Sequence, residues 1–301
     1  MTYTDKLKSK KKTFKRKCRN FKIPDKTCYT KKNLIDFAKH WNNKNKNKNK
    51  KITRICSKTK EQLWDDLKYT FNTEKEDLWL KFIDKPFLEP QIFSPKVPEI
   101  WKKNKNTWLS NLDISKAMQF YEEKYPMFHF IEPAPIDFNK KNIYNQCLHS
   151  PLCNYNYKSL YKKYDYLGVI FNTDPHNKSG QHWIALFVHL KLGEISFFDS
   201  TGQPPPTEVQ KLINEFETQG YEVLQKKIKI NYNKIEHQKL FTECGIYCLA
   251  FMHHMLITDG DFSIFNQERI ADEKIEFLRA FFFDDVEGIY PYFYKDKNYT
   301  L

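Results

Sequence analysis

The chain has 301 residues, 40% hydrophobic and 16% aromatic, which is enough to bury a sizeable core and too aromatic for a disordered chain. No run of about 18 uninterrupted apolar residues is present, so no segment reads as a membrane span; the start, MTYTDKLKSKKK, has no apolar stretch behind its charges and does not read as a secretory leader. Fifty Lys and Arg against 37 Asp and Glu give a net charge of +13, a balance that suggests an acidic partner such as nucleic acid.

That charge is unevenly spread. Residues 1–60 hold 22 basic and 3 acidic side chains, a net of +19, leaving 28 basic and 34 acidic in the other 241, a net of −6. A basic, low-complexity arm is therefore expected over 1–60, with LKSKKKTFKRKCRNFK and the solvated run NNKNKNKNKK. Between these, Leu34, Phe37 and Trp41 stand at helical spacing. Two further helical patterns follow, EQLWDDLKYTF and TEKEDLWLKFI, the second with Thr73 as a candidate cap. Pro86, Pro90, Pro95 and Pro98 then interrupt the chain, so 61–100 reads as a helical region ending in a Pro-rich linker, and 101–301 as the main domain.

The main domain alternates between periods. WLSNLDISKAMQFYEEKYP reads as a turn and a helix capped by Asp113 or Ser115. LGVIFN (167–172), HWIALFVHL (182–190), EISFFDS (194–200) and KIKINYN (227–233) have strand length and strand composition. TEVQKLINEFETQG, opened by Pro204–Pro206, is expected to stop at Gly220. ECGIYCLAFMHHMLI (243–257) is apolar nearly all round and should be a buried helix. The fold class expected is α+β.

Seven cysteines without an export signal (Cys18, Cys28, Cys56, Cys147, Cys153, Cys244, Cys248) read as reduced thiols in an intracellular setting. A thiol protease needs a nucleophilic Cys, a His to take its proton, a side chain to orient that His, and donors for an oxyanion. His182 begins a strand after a polar loop, and Asp199 ends the next strand, at the same sheet edge if the two pair as a hairpin. Cys244 opens the buried helix, where the helix N-terminus and a protonated His favour a thiolate. Gly245 would let a substrate backbone approach, and Gln238, six residues upstream of Cys244, could add a side-chain donor beside the Cys244 N–H. Taken singly each residue has a plainer reading: a packed strand-edge His, a core Cys, an Asx-turn at Asp199. Cys248 reads as core. Cys147, His149 and Cys153 supply only three ligands at no common zinc spacing and read as loop thiols, and His253 and His254 as tolerated charge near a helix C-terminus. No cofactor and no metal is expected.

In their joint order, QHWIALFV (181–188), FFDSTG (197–202) and Gln238…Cys244-Gly245 resemble the catalytic core of the adenain and SUMO-specific cysteine protease superfamily, most closely its viral polyprotein-processing branch. TWLSNLDI (107–114) resembles the Trp-Leu entry motif, and the likeness covers roughly 105–283. The resemblance implies an adenain-like, ubiquitin-like-protease core, a central mixed sheet flanked by helices. It implies Cys244 as nucleophile, His182 as base, Asp199 as orienting group and Gln238 as oxyanion donor, with Asn172 and Trp183 in substrate contact. Trp183 would wall a groove admitting only small residues, hence cleavage after Gly-Gly. The viral branch carries Asn where this chain has Asp199; either accepts from the His Nδ1–H, but a carboxylate also stabilises imidazolium. The substrates implied are viral structural precursors, in the host cytoplasm at virus factories and in the virion, or alternatively SUMO- or ubiquitin-like conjugates. Nucleic acid is the expected partner of the basic arm. An inactive protease body serving that arm is disfavoured by the intact set of four residues.

Overall fold

The computed structural model describes Cys18 and residues 26–46, 51–83 and 92–284. They form two compact units that divide between Lys96 and Val97 within the Pro-rich stretch, with Asp284 counted in the first.

The described residues of the first unit include the α-helices α1 (Lys31–Lys44), α2 (Lys60–Phe71) and α3 (Glu76–Phe82). Thr30 and Thr59 cap α1 and α2 by accepting from the backbone N–H three residues on, while Asn33 and Gln62 return their side chains to the cap N–H groups. Leu34, Phe37 and Ala38 of α1 share one apolar cluster with Leu63 and Leu67 of α2 and Trp79 and Leu80 of α3. The expected division at residue 60 is therefore not a packing boundary. The charge of α1 lies on exposed Lys31, Lys32, Lys39 and Lys44, while its other face joins the helical core. Asn42 brackets Ile52, donating to its carbonyl at 2.7 Å and accepting from its N–H at 2.9 Å, so both ends of the Lys/Asn run are tied to folded structure. Residues 1–17, 19–25 and 47–50 of the expected arm lie outside the described residues. At α3 the N-cap position is Lys75, and Thr73 accepts from the Lys75 N–H instead of capping.

The second unit is built on a five-stranded mixed sheet in the order β1 (Phe128–Pro135), β2 (Tyr166–Asn172), β3 (Trp183–His189), β4 (Glu194–Phe198), β5 (Lys229–Tyr232). β1 and β2 are parallel, β2, β3 and β4 antiparallel, and β4 and β5 parallel. β1 was not apparent from the sequence because Pro133 and Pro135 interrupt it; Pro133 falls where the register shifts between Ile131 and Ala134, at an irregularity that tolerates a missing N–H. β2 to β4 are buried on both faces. One face, with Val169, Leu186 and Phe197, packs on Leu212 and Phe216 of α7 (Thr207–Leu224) beside the short helices α5 (Ser150–Cys153) and α6 (Tyr157–Lys163). The other carries α8 (Cys244–Ile257), whose Phe251 stacks on Phe198 at 5.1 Å, with α4 (Asn111–Lys124) and α9 (Asp272–Phe282) alongside.

Several local expectations are corrected. Ser110, not Asp113 or Ser115, caps α4; its hydroxyl accepts from the Asp113 N–H and Asp113 returns its carboxylate. α7 runs through Gly220 to Leu224, and a Cβ at Gly220 would meet Ile228 Cδ1 at 3.0 Å and Tyr157 at 3.1 Å, so that glycine serves close packing. His253 is no charged C-terminal residue: it meets the Tyr121 hydroxyl at 2.8 Å, and burial pushes it down to about 4. Cys18 with Cys28, and Cys147 with Cys153, are disulfide-paired at Cα separations of 5.2 and 6.4 Å, which overturns the reading of all seven cysteines as reduced thiols; Cys56, Cys244 and Cys248 are free.

Candidate active site

The β3–β4 hairpin brings the start of β3 beside the end of β4, with Ala185 opposite Phe198. His182 precedes the first of these strands and Asp199 follows the second, so their side chains meet: His182 Nε2 lies 2.7 Å from Asp199 Oδ1. The expected contact through Nδ1 is thereby corrected. The carboxylate holds Nε2, which leaves Nδ1 as the ring nitrogen for Cys244.

Asp199 is itself held from three directions. Its Oδ1 accepts from the Thr201 N–H and the Thr201 hydroxyl, both at 2.8 Å. The first of these is the Asx-turn of the plainer reading, and it coexists with the orienting contact on the same oxygen. Asn233 pairs with the Asp199 backbone, accepting from its N–H at 2.9 Å and donating to its carbonyl at 2.6 Å. Asp199 is 4% exposed.

Cys244 is the first residue of α8 and is buried. Burial disfavours the charged form of His182, but hydrogen bonding with Asp199 and with Cys244 outweighs it and raises the imidazole to about 10. His182 therefore carries its proton at neutral pH, between a carboxylate on one side and a sulfur on the other. Cys248, one turn into α8, is fully buried, and burial pushes its thiol far up; it is a core residue.

Gln238 lies in the loop before α8. Its Oε1 accepts from the Ser200 hydroxyl at 2.7 Å and its Nε2 donates to the Leu240 carbonyl, so it joins the Asp199 turn to the approach to Cys244. His237, fully buried, fixes the same loop: Nδ1 accepts from the Ile270 N–H at 3.1 Å and Nε2 meets the Phe265 carbonyl at 3.1 Å.

A cleft of about 490 Å³ is lined by Trp108, Leu109, Asn172, His176, Gly180, Gln181 and Trp183, while His182 and Cys244 do not line it. Asn172 ends β2, opposite Trp183 in register, and its side chain accepts from the Asp174 N–H at 2.9 Å. Gly180 closes the loop over it with φ +91°, and any Cβ there would strike the Asn172 amide at 2.6 Å. Trp183 is 7% exposed and donates to the Leu109 carbonyl at 3.0 Å. Gly245 does not line this opening; a Cβ there would meet Leu109 side-chain atoms at 3.1 Å, so the glycine makes room for Leu109.

Asn233, Thr201 and Ser200 were missed as site residues. Ser200 and Thr201 stand in the Asp-Ser-Thr-Gly turn and could have been inferred from the Asx geometry; Asn233, 34 residues away, carried no signal without the β4–β5 pairing.

The profile of the Ulp1 protease family, C-terminal catalytic domain, matches residues 129–291, more than half of the chain and all of the His–Asp–Cys constellation. The chain belongs to the Ulp1 protease family. It is 35% identical over 150 residues to a thiol protease of Acanthamoeba polyphaga mimivirus, matching 50% of this chain and 48% of that protein, so it spans about half of that relative's length. It is 25% identical over 190 residues to the SUMO-1 cysteine protease of African swine fever virus (isolate Pig/Kenya/KEN-50/1950), covering 60% of this chain and 69% of the relative. The crystal structure of the African swine fever virus protease superposes with a TM-score of 0.62 over 89% of this chain and 95% of that one at 20% identity, a likeness of fold. No helix among the described residues is long and apolar enough to cross a membrane.

Proposed function

We propose that this member of the Ulp1 family is a thiol endopeptidase that cleaves structural polyprotein precursors of a large DNA virus after Gly-Gly sequences. The observation that carries the proposal is the 2.7 Å contact of His182 Nε2 with Asp199, made where the imidazole's other side addresses Cys244.

In the proposed reaction the Cys244 thiolate attacks the scissile carbonyl carbon, and the carbonyl π electrons move onto oxygen. The Cys244 N–H at the start of α8 and the second Nε2 proton of Gln238 stabilise that oxyanion, Gln238 being anchored through Ser200 and Leu240. His182 Nδ1–H gives its proton to the departing amine as the C–N bond breaks, leaving a thioester. A water, deprotonated by His182, then hydrolyses the thioester and returns the thiolate–imidazolium pair. Asp199 holds the ring and its positive charge throughout.

Asn172 and Trp183 are proposed to line the path of the substrate's carboxyl-side segment. A cleft walled by two indoles, Trp108 and Trp183, suits a chain without side chains. The alternative is removal of a SUMO-like modifier, favoured by the designation of the African swine fever virus relative. The two readings share chemistry and differ in substrate. The deciding experiment incubates the protein with virion precursors and, separately, with SUMO- and ubiquitin-based activity probes. Cleavage of precursors after Gly-Gly, read by N-terminal sequencing of the products, supports the first reading; efficient labelling of Cys244 by a modifier probe with intact precursors replaces it with the second. We further propose that residues 1–60, at +19, contact nucleic acid, placing the enzyme at virus factories in the host cytoplasm and in the virion. Binding to DNA that does not weaken with salt would contradict this.

A further inference from the structure

Arg279 lies on α9, is 0% exposed, and spends four of its five N–H donors on the segments around the nucleophile. Its Nε and Nη2 grip the Glu243 carboxylate in a bidentate pair at 2.8 Å each, Nη2 also donates to the Thr242 carbonyl at 3.0 Å, and Nη1 donates to the Thr107 carbonyl at 2.9 Å. Trp101 covers the guanidinium, its ring centre 4.5 Å away. Glu243, 2% exposed, is the N-cap of α8 and the residue bonded to Cys244; Thr107 precedes the Trp108-Leu109 pair that lines the cleft. One side chain thus ties the nucleophile's peptide to the cleft wall.

A buried ion pair is weak evidence for stability, since apolar residues of similar volume often replace such pairs without loss. Its position argues for another role. A buried carboxylate bonded next to Cys244 would oppose a thiolate there, working against the helix N-terminus that favours one. A guanidinium gripping that carboxylate removes the repulsion and retains the oxygens as a rigid clamp. We infer that Arg279 is a positioning residue of the catalytic machinery, holding Glu243 so that Cys244 is kept against His182 and its thiolate is not opposed by the neighbouring carboxylate. The inference rests on the reading of Cys244 as nucleophile. Among the described residues, the other charged or titratable groups around this end of α8 include His182 and Asp199 from the sheet, Cys248 one turn on, Tyr247 with the Arg269–Asp272 pair, and the Lys105–Glu276 pair, its Glu276 one turn before Arg279 on α9.

The test is the pH dependence of iodoacetamide alkylation at Cys244, with exposed Cys56 as internal control, in the wild type and in Glu243→Gln, Arg279→Gln and Arg279→Lys. Glu243→Gln removes the opposing charge and leaves the guanidinium, so half-maximal alkylation moves to lower pH; Arg279→Gln exposes the carboxylate and moves it to higher pH, each by about one unit or more. A residue that only supports the fold would not give opposite shifts. Arg279→Lys keeps the charge and loses the fork, so the alkylation profile stays while kcat for peptide cleavage drops roughly ten- to a hundredfold at unchanged KM. Should Arg279→Gln not fold, Glu243→Gln and Arg279→Lys decide alone. An unshifted Glu243→Gln profile together with wild-type kcat in Arg279→Lys overturns the inference while leaving the nucleophile assignment standing. If wild-type Cys244 reacts no faster than Cys56, the nucleophile assignment fails, and the inference with it.

Discussion

Asn233 pairs with the backbone of Asp199 on both sides, accepting from its N–H at 2.9 Å and donating to its carbonyl at 2.6 Å, and so extends the sheet's edge into the site by one side-chain amide. Both residues are buried. Asn233→Ala leaves the buried Asp199 N–H without a partner, the carbonyl keeping the Gly202 N–H at 2.8 Å, at a cost of about 1–3 kcal/mol, and loosens the turn that carries Asp199. Urea unfolding should register the lost stability, and kcat/KM should drop at least about tenfold, since small misplacements of a catalytic group are costly. Wild-type kinetics in a destabilised Asn233→Ala protein would confine the residue to a structural role.

The protonation of His182 sets the pH behaviour. Its affinity for the proton is raised above the unfolded value of 6.5 to about 10 because the hydrogen bonds with Asp199 and Cys244 overcome burial. Stability from this site is fully present below about 6.5 and is lost as pH rises through about 10. Activity that needs imidazolium as the acid for the leaving amine should show its basic limb in the same upper range. In Asp199→Asn the carboxylate's contribution is gone, so the basic limb of kcat/KM should move to lower pH. A limb that stays in place would show that Asp199 does not hold the charge.

Gln238 reaches both the Asp199 turn and the Leu240 carbonyl, so its truncation removes an anchored donor. Gln238→Ala should lower kcat by about 10²–10³ with little change in KM, the loss expected when one oxyanion donor is removed. Pre-steady-state acylation of a thioester-forming substrate measures it directly; acylation at the wild-type rate excludes the role.

Gly245 and Leu109 are matched by size. A Cβ at Gly245 would sit 3.1 Å from Leu109 side-chain atoms, and the Leu109 carbonyl is the acceptor for the Trp183 indole. Gly245→Ala should shift Leu109 and with it the cleft wall, raising KM for a Gly-Gly peptide several-fold more than it lowers kcat. A loss confined to kcat would place the glycine at the reacting atoms instead.

The parts of the site legible in the sequence were those set by short-range periodicity. Two apolar strand runs separated by a short turn imply a hairpin, and a hairpin puts the residue before its first strand beside the residue after its second, which is the His182–Asp199 contact. The uniform apolarity of 244–257 marks a buried helix and places Cys244 at its first turn. What stayed hidden depends on distant pairing or on atoms. β1 was masked by its prolines, and Asn233 gains meaning only from its place after β5. Arg279 is one charge among several on α9, and its burial follows from Trp101 and Glu243, far from it in the chain. Gly220 read as a helix stop because a glycine packed against Ile228 and one ending a helix look alike in one dimension. Which imidazole nitrogen meets Asp199 is a matter of ring orientation alone.

The central claim is that Cys244 is the nucleophile served by His182. Its most direct measurement is turnover of a Gly-Gly-containing peptide by Cys244→Ala, with circular dichroism and thermal unfolding matched to the wild type. The account predicts a folded protein with no detectable cleavage; cleavage retained in the folded Cys244→Ala protein would contradict it.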